Sequence, residues 1–172
     1  MKSSLNRKEK EEKMILITGG AYQGKSEVAK KIFMEKKKID FSENKLQREQ
    51  LYKKGTDKRY QDRDQQASRN PIIVEGEIAS FQQLQQADII EHFDLWIRNF
   101  IMEEKNPYYV IEELLRKNSE VIVELTQLGC GIVPMEVFDR NYRELVGRIG
   151  CYLAEHAQAV YLVNCGLSKR LK

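Results

Sequence analysis

Met14-Ile15-Leu16-Ile17-Thr18-Gly19-Gly20-Ala21-Tyr22-Gln23-Gly24-Lys25-Ser26 is the stretch that decides the fold. A short apolar run rich in β-branched residues stops at two glycines, as a buried strand entering a tight loop does. After Ser26, apolar residues return at Val28, Ala29, Ile32 and Phe33, the spacing of one helix face. Gly19, Gly24, Lys25 and Ser26 satisfy the pattern G-x-x-x-x-G-K-[ST], between the strand and the helix where that pattern has meaning. Glycines let the chain curl so that successive backbone N–H groups face one anion, and the helix N-terminus adds its dipole. The nucleotide contacts expected from this loop are Gly19, Gly20, Ala21, Tyr22, Gln23, Gly24, Lys25 and Ser26. Lys25 is the catalytic cation expected on the β- and γ-phosphates, and the Ser26 hydroxyl is a ligand for Mg²⁺ bound with ATP or GTP.

Outward from the loop, the chain alternates short apolar runs with amphipathic stretches. Pro71 to Val74 reads as a second buried strand, closing on Glu75-Gly76-Glu77. Amphipathic stretches follow around Phe81 to Ile90 and through Phe93, Trp96, Ile97, Phe100 and Ile101, then a helix over Tyr108 to Lys117. Val121 to Leu125 is a third strand, Gly129 to Pro134 a glycine-rich loop, and Val137 to Ala157 a long helix. Ala159 to Asn164 is a last strand before a tail, Gly166 to Lys172. Such alternation predicts the α/β class, a P-loop NTPase with a mostly parallel sheet and helices on both faces. The expected organisation is a disordered leader over 1–13 and a single nucleotide-binding domain over 14–172, interrupted by a polar excursion over 36–70.

A P-loop enzyme also needs an acidic group at the end of a neighbouring strand to hold the metal through water. Glu75 and Glu124 are the two candidates. Composition narrows the partners: 172 residues suffice for one domain, and no apolar run reaches the length of a membrane span. The polar N-terminus lacks the core of a secretory signal, so a cytoplasmic location is expected. Cys130, Cys151 and Cys165 are too far apart for a CxxC metal site and read as buried free thiols. The net charge of +3 concentrates in residues 1–13 and 36–70, where both signs mix, so these read as solvated surface without nucleic-acid binding.

Three further elements carry a resemblance. Gly129-Cys130-Gly131-Ile132-Val133-Pro134, Arg143 to Arg148 (RELVGR) and Tyr161 to Lys172 (YLVNCGLSKRLK), together with Met14 to Ser26, resemble the bifunctional adenosylcobinamide kinase / adenosylcobinamide-phosphate guanylyltransferase family of cobalamin biosynthesis. The resemblance implies a RecA-like P-loop fold, phosphorylation of the adenosylcobinamide hydroxyl by ATP or GTP, and GMP transfer through a guanylylated histidine. It implies a transferase with a corrinoid small-molecule substrate and a possible homo-oligomer. Val74-Glu75 ahead of Asp94-Leu95-Trp96-Ile97-Arg98-Asn99 is similar to the family's middle part, which favours Glu75 as the catalytic and metal-side carboxylate.

The chain also departs from the family. The accepting histidine belongs between the P-loop helix and the second strand, and residues 36–70 contain none. Thr126 and Gln127 stand where the family commonly has Asn-Glu. His156 reads as a surface residue. His92, beside Phe93, reads as structural, with a substitute nucleophile or phosphate contact as the other reading. Kinase chemistry rests on positioned phosphates, metal and charge and survives these changes, whereas guanylyl transfer by the usual route does not. A P-loop kinase of another small molecule and a non-catalytic nucleotide-binding protein are the alternatives.

Overall fold

The computed structural model describes residues 13–52, 69–103 and 106–172. Among them the elements run β1 (Ile15–Gly19), α1 (Lys25–Tyr52), β2 (Ile73–Glu75), α2 (Phe81–Gln86), β3 (Ile89–Glu91) and α3 (Phe93–Met102). They continue with α4 (Pro107–Lys117), β4 (Ile122–Thr126), α5 (Val137–His156), β5 (Ala159–Asn164) and β6 (Leu167–Arg170). The strands form one sheet in the order β2-β3-β4-β1-β5-β6. Every pairing is parallel except β5 with β6, so the fold is α/β with a mostly parallel sheet.

Alternation along the strands splits the core between the two faces of the sheet. Ile15, Ile17, Ile89, Ile122 and Val163 pack with Val28, Ala29 and Phe33 of α1. Their neighbours Leu16, Ile90 and Val123 point the other way, into a larger core. Leu84 of α2, Phe93 and Ile97 of α3, Leu114 of α4 and Ile149 of α5 fill that side. Both faces are covered, which is why the central strands are apolar at consecutive positions rather than alternating. Trp96 is buried there, stacked on Phe93 with ring centroids 5.1 Å apart.

Several expectations are corrected. The polar excursion, part of which (Asn44 to Lys54) reads as a polar helix, begins as a continuation of α1: the helix runs on to Tyr52, through Lys, Glu, Gln and Arg residues of good helix propensity with neither glycine nor proline. The rest of the polar excursion, from residue 53, and the expected leader fall mostly outside the described residues. Strand β2 is an edge strand, with Ile73 and the preceding Ile72 exposed, not a buried one. The stretch around Phe81 to Ile90 divides into a capped helical turn and a strand, β3. The C-terminal tail closes the sheet as β6. All three cysteines are free, but all three are exposed. No helix among the described residues is long and apolar enough to cross a membrane.

One buried polar junction ties these layers together. Asp94 of α3 accepts the Thr126 backbone N–H at 3.1 Å and the Tyr142 hydroxyl at 3.3 Å, joining α3 to the end of β4 and to α5. Burial and the facing Asp94 charge drive the Tyr142 hydroxyl well above its ordinary pKa, so it stays a donor. An Asp94→Ala substitution strands two donors, each costing about 1–3 kcal/mol when buried without a partner. The expected result is a lowered denaturant midpoint with an unchanged m-value, measured by urea unfolding.

Candidate phosphate-binding and catalytic site

The loop after β1 is shaped by close packing against the far end of the chain. A side chain at Gly19 would place its Cβ 2.3 Å from the carbonyl oxygen of Val163, so only glycine lets β1 lie this close to β5. Gly24 adopts φ +84°, and its Cβ position lies 3.2 Å from the Gly166 Cα. The Gln23 side chain accepts the Cys165 N–H at 2.6 Å, and the Gln23 carbonyl accepts the Gly166 N–H at 2.9 Å. Gln23 therefore clamps the loop to the β5–β6 turn, while Tyr22, at φ 58°, stands fully in solvent.

Lys25 opens α1 and is only 5% exposed. Its ammonium donates to the Gly20 carbonyl at 2.9 Å, which holds the cation within the loop where phosphate oxygens would bind. Ser26 donates its hydroxyl to Oε2 of Glu124 at 3.2 Å. Glu124 lies mid-strand in β4, the neighbour of β1 in the sheet, and is 1% exposed. Its second oxygen, Oε1, is buried and has no hydrogen-bond partner among the described residues. Burial first, then the negative charge of Glu91, pushes this carboxyl up to about 7, against the lowering by Ser26, Lys25 and His92.

Glu75 stands elsewhere. It ends β2 beside Glu91 at the end of β3, and both its oxygens lie 3.0 Å from His92 Nδ1. His92 follows β3 in a left-handed conformation (φ 48°) and caps α3. Glu124, not Glu75, is the carboxylate against the P-loop serine. Strand adjacency, rather than chain order, decides which carboxylate meets Ser26: β4 lies beside β1, and β2 does not. Glu91 is the residue that sequence reasoning passed over. It too follows a short apolar pair, Ile89-Ile90, and that strand was hidden inside an amphipathic stretch.

On the other side of the loop, Arg143 of α5 donates to the carbonyls of Gly129, Gly131 and Ile132. Arg140 donates to those of Pro134 and Met135. Two helix arginines thus shape the glycine-rich loop and turn Ile132, Val133 and Met135 outward. Beneath the loop, a mainly apolar cavity of about 820 Å³ opens between the sheet and α5, lined by Leu16, Leu125, Gln127, Cys130, Val146 and Gly150 among others. Thr126 and Gln127 lie at the carboxyl end of β4 beside the phosphate loop, where Gly19 accepts the Gln127 N–H at 2.9 Å. His156 accepts no role at this site: its Nδ1 lies 2.8 Å from the Tyr152 carbonyl in the last turn of α5.

A parallel α/β sheet whose first strand runs through a glycine loop into a helix, with Lys25 and Ser26 at the turn, defines a P-loop nucleotide-binding protein. The family model for cobinamide kinase / cobinamide phosphate guanyltransferase matches residues 15–171. The chain belongs to that family, the bifunctional transferases of cobalamin biosynthesis. No curated protein matches the chain.

Proposed function

We propose that this chain phosphorylates the hydroxyl of adenosylcobinamide, using ATP or GTP held by Gly19 to Ser26, with Mg²⁺ at Ser26 and Glu124. The observation that carries the reading is the Lys25–Ser26–Glu124 arrangement. A buried ammonium lies within the phosphate loop, and the adjacent hydroxyl is bonded to a buried carboxylate whose other oxygen has no partner among the described residues. That orphaned oxygen fits a hydrated divalent cation, since an unpaired buried polar atom is costly unless a partner binds. Bound there, Mg²⁺ would neutralise charge on the β- and γ-phosphate oxygens. Lys25 leaves the Gly20 carbonyl for phosphate oxygens and stabilises charge as the γ-phosphoryl group moves. The loop N–H groups hold the leaving diphosphate in line with the incoming hydroxyl.

Guanylyl transfer through a histidine from residues 36–70 has no candidate in this sequence. Kinase activity without that covalent intermediate is therefore the expected division of labour. GTP labelled at the α-phosphorus, incubated with the protein and Mg²⁺, tests it. The expected result is no label retained on denatured protein, with phosphorylated adenosylcobinamide formed in a parallel reaction. Retained, acid-labile label would overturn the division.

A further inference from the structure

We propose that the Glu75–His92 pair is the proton-accepting dyad of the phosphoryl transfer, with His92 Nε2 as the base for the acceptor hydroxyl and Glu75 as its positioning residue. The inference rests on the kinase reading above, and on geometry that reading does not use. Both carboxylate oxygens of Glu75 lie 3.0 Å from Nδ1. A carboxylate at this distance fixes the proton on Nδ1, which leaves Nε2 as the bare nitrogen of the neutral ring. Nε2 makes no hydrogen bond among the described residues, and the ring is about half exposed. The left-handed backbone at His92, φ 48°, is an uncommon conformation for a residue that is not glycine. It turns the chain sharply between β3 and α3 and sets the ring against β2. Gly76 permits this: a Cβ there would lie 2.5 Å from the His92 carbonyl oxygen.

Sheet order places the dyad. β2, β3, β4 and β1 run parallel, so Glu75, His92 and the phosphate loop all lie at the carboxyl ends of these strands. Two strand spacings, about 10 Å, separate β3 from β1. The dyad lies on the β4 side of the loop, where Ser26 and Glu124 mark the metal and γ-phosphate end, and Glu124 senses the charge of His92. An acceptor bound between them meets the γ-phosphorus on one side and Nε2 on the other. In the step, Nε2 takes the hydroxyl proton as the oxygen–phosphorus bond forms. The bond from the γ-phosphorus to the bridging oxygen breaks, and the nucleoside diphosphate leaves with that electron pair. The imidazolium is stabilised by Glu75 and then loses its proton to solvent. Burial alone would lower the His92 pKa, but the Glu75 bond and charge, with Asp94 of α3 and Glu124 of β4, raise it.

His92→Ala, His92→Gln and Glu75→Gln are compared with the wild type in two assays: phosphorylation of adenosylcobinamide, and slow hydrolysis of the nucleoside triphosphate by water. The second needs no corrinoid, so it reads the dyad even if cobinamide is the wrong substrate. The expected result is a fall in kcat of about 10²–10³-fold for both His92 variants. Nucleotide KM should stay within a few-fold, with partial rescue of His92→Ala by added imidazole. Glu75→Gln lowers kcat less and moves the acid limb of the pH profile to lower pH. His92 variants within threefold of wild type in both assays overturn the proposal, as does a fall that imidazole does not rescue. Wild-type hydrolysis that depends on His92, without corrinoid phosphorylation, keeps the dyad and discards the substrate.

Discussion

Lys25→Ala lowers kcat for phosphoryl transfer by about 10²–10³-fold and leaves the fold intact. A preorganised charged donor in a water-excluded site is worth that much, because the charge it meets grows in the transition state. Lys25 is 5% exposed and, among the described residues, bonded to the Gly20 carbonyl, so its cost is already built into the folded loop. Removing the side chain takes one favourable charge from the buried Glu124 carboxyl, which keeps its hydrogen bond from Ser26. Thermal unfolding should therefore change little while steady-state kinetics collapse. The reverse pattern, a large fall in Tm with kcat preserved, would assign Lys25 to structure.

Glu124→Gln is expected to weaken the enzyme and stabilise the protein together. Apparent Mg²⁺ affinity falls about 10–100-fold, the usual effect of losing a group that orients a metal ligand. Stability moves the other way, and its sign follows from the pKa. The folded state holds this carboxyl at about 7 rather than 4.5, so between these values the folded chain binds more protons than the unfolded one. Stability from this group is full below about 4.5, declines as pH rises through the interval, and is level above about 7. At about 1.4 kcal/mol per unit, the penalty above pH 7 is at most about 3–4 kcal/mol. The amide does not titrate. The difference in urea stability between Glu124→Gln and wild type should be near zero at pH 4.5 and favour the variant at pH 8. A pH-independent difference contradicts the buried-acid reading.

The phosphate loop was legible because its chemistry is local. Anion binding needs glycines, a lysine and a hydroxyl within a few residues, between a strand and a helix, and all of these are adjacent in Met14 to Ser26. Likewise the C-terminal motifs led to the family whose model spans residues 15–171. The choice between Glu75 and Glu124 was not local. It depends on β4 lying next to β1 while β2 sits at the sheet edge, and strand order cannot be read from chain order. Strand β3, three residues long, carries too short a pattern to separate from the helix before it. The cysteines misled for a related reason. Cys is usually buried, but Cys130 lies in the arginine-held loop and Cys165 in the tight β5–β6 turn at φ 51°, where backbone geometry governs exposure. The contact between His92 and Glu75 was not legible, since the two lie seventeen positions apart in sequence.

Transfer of the γ-phosphoryl group is the most direct test of the central claim. γ-Labelled ATP and GTP are each incubated with the wild-type chain, Mg²⁺ and adenosylcobinamide, and the corrinoid is separated and counted. Label on the corrinoid with at least one nucleotide, lost in Lys25→Ala, is the predicted result. Tight nucleotide binding with no label on the corrinoid from either donor would contradict the kinase reading.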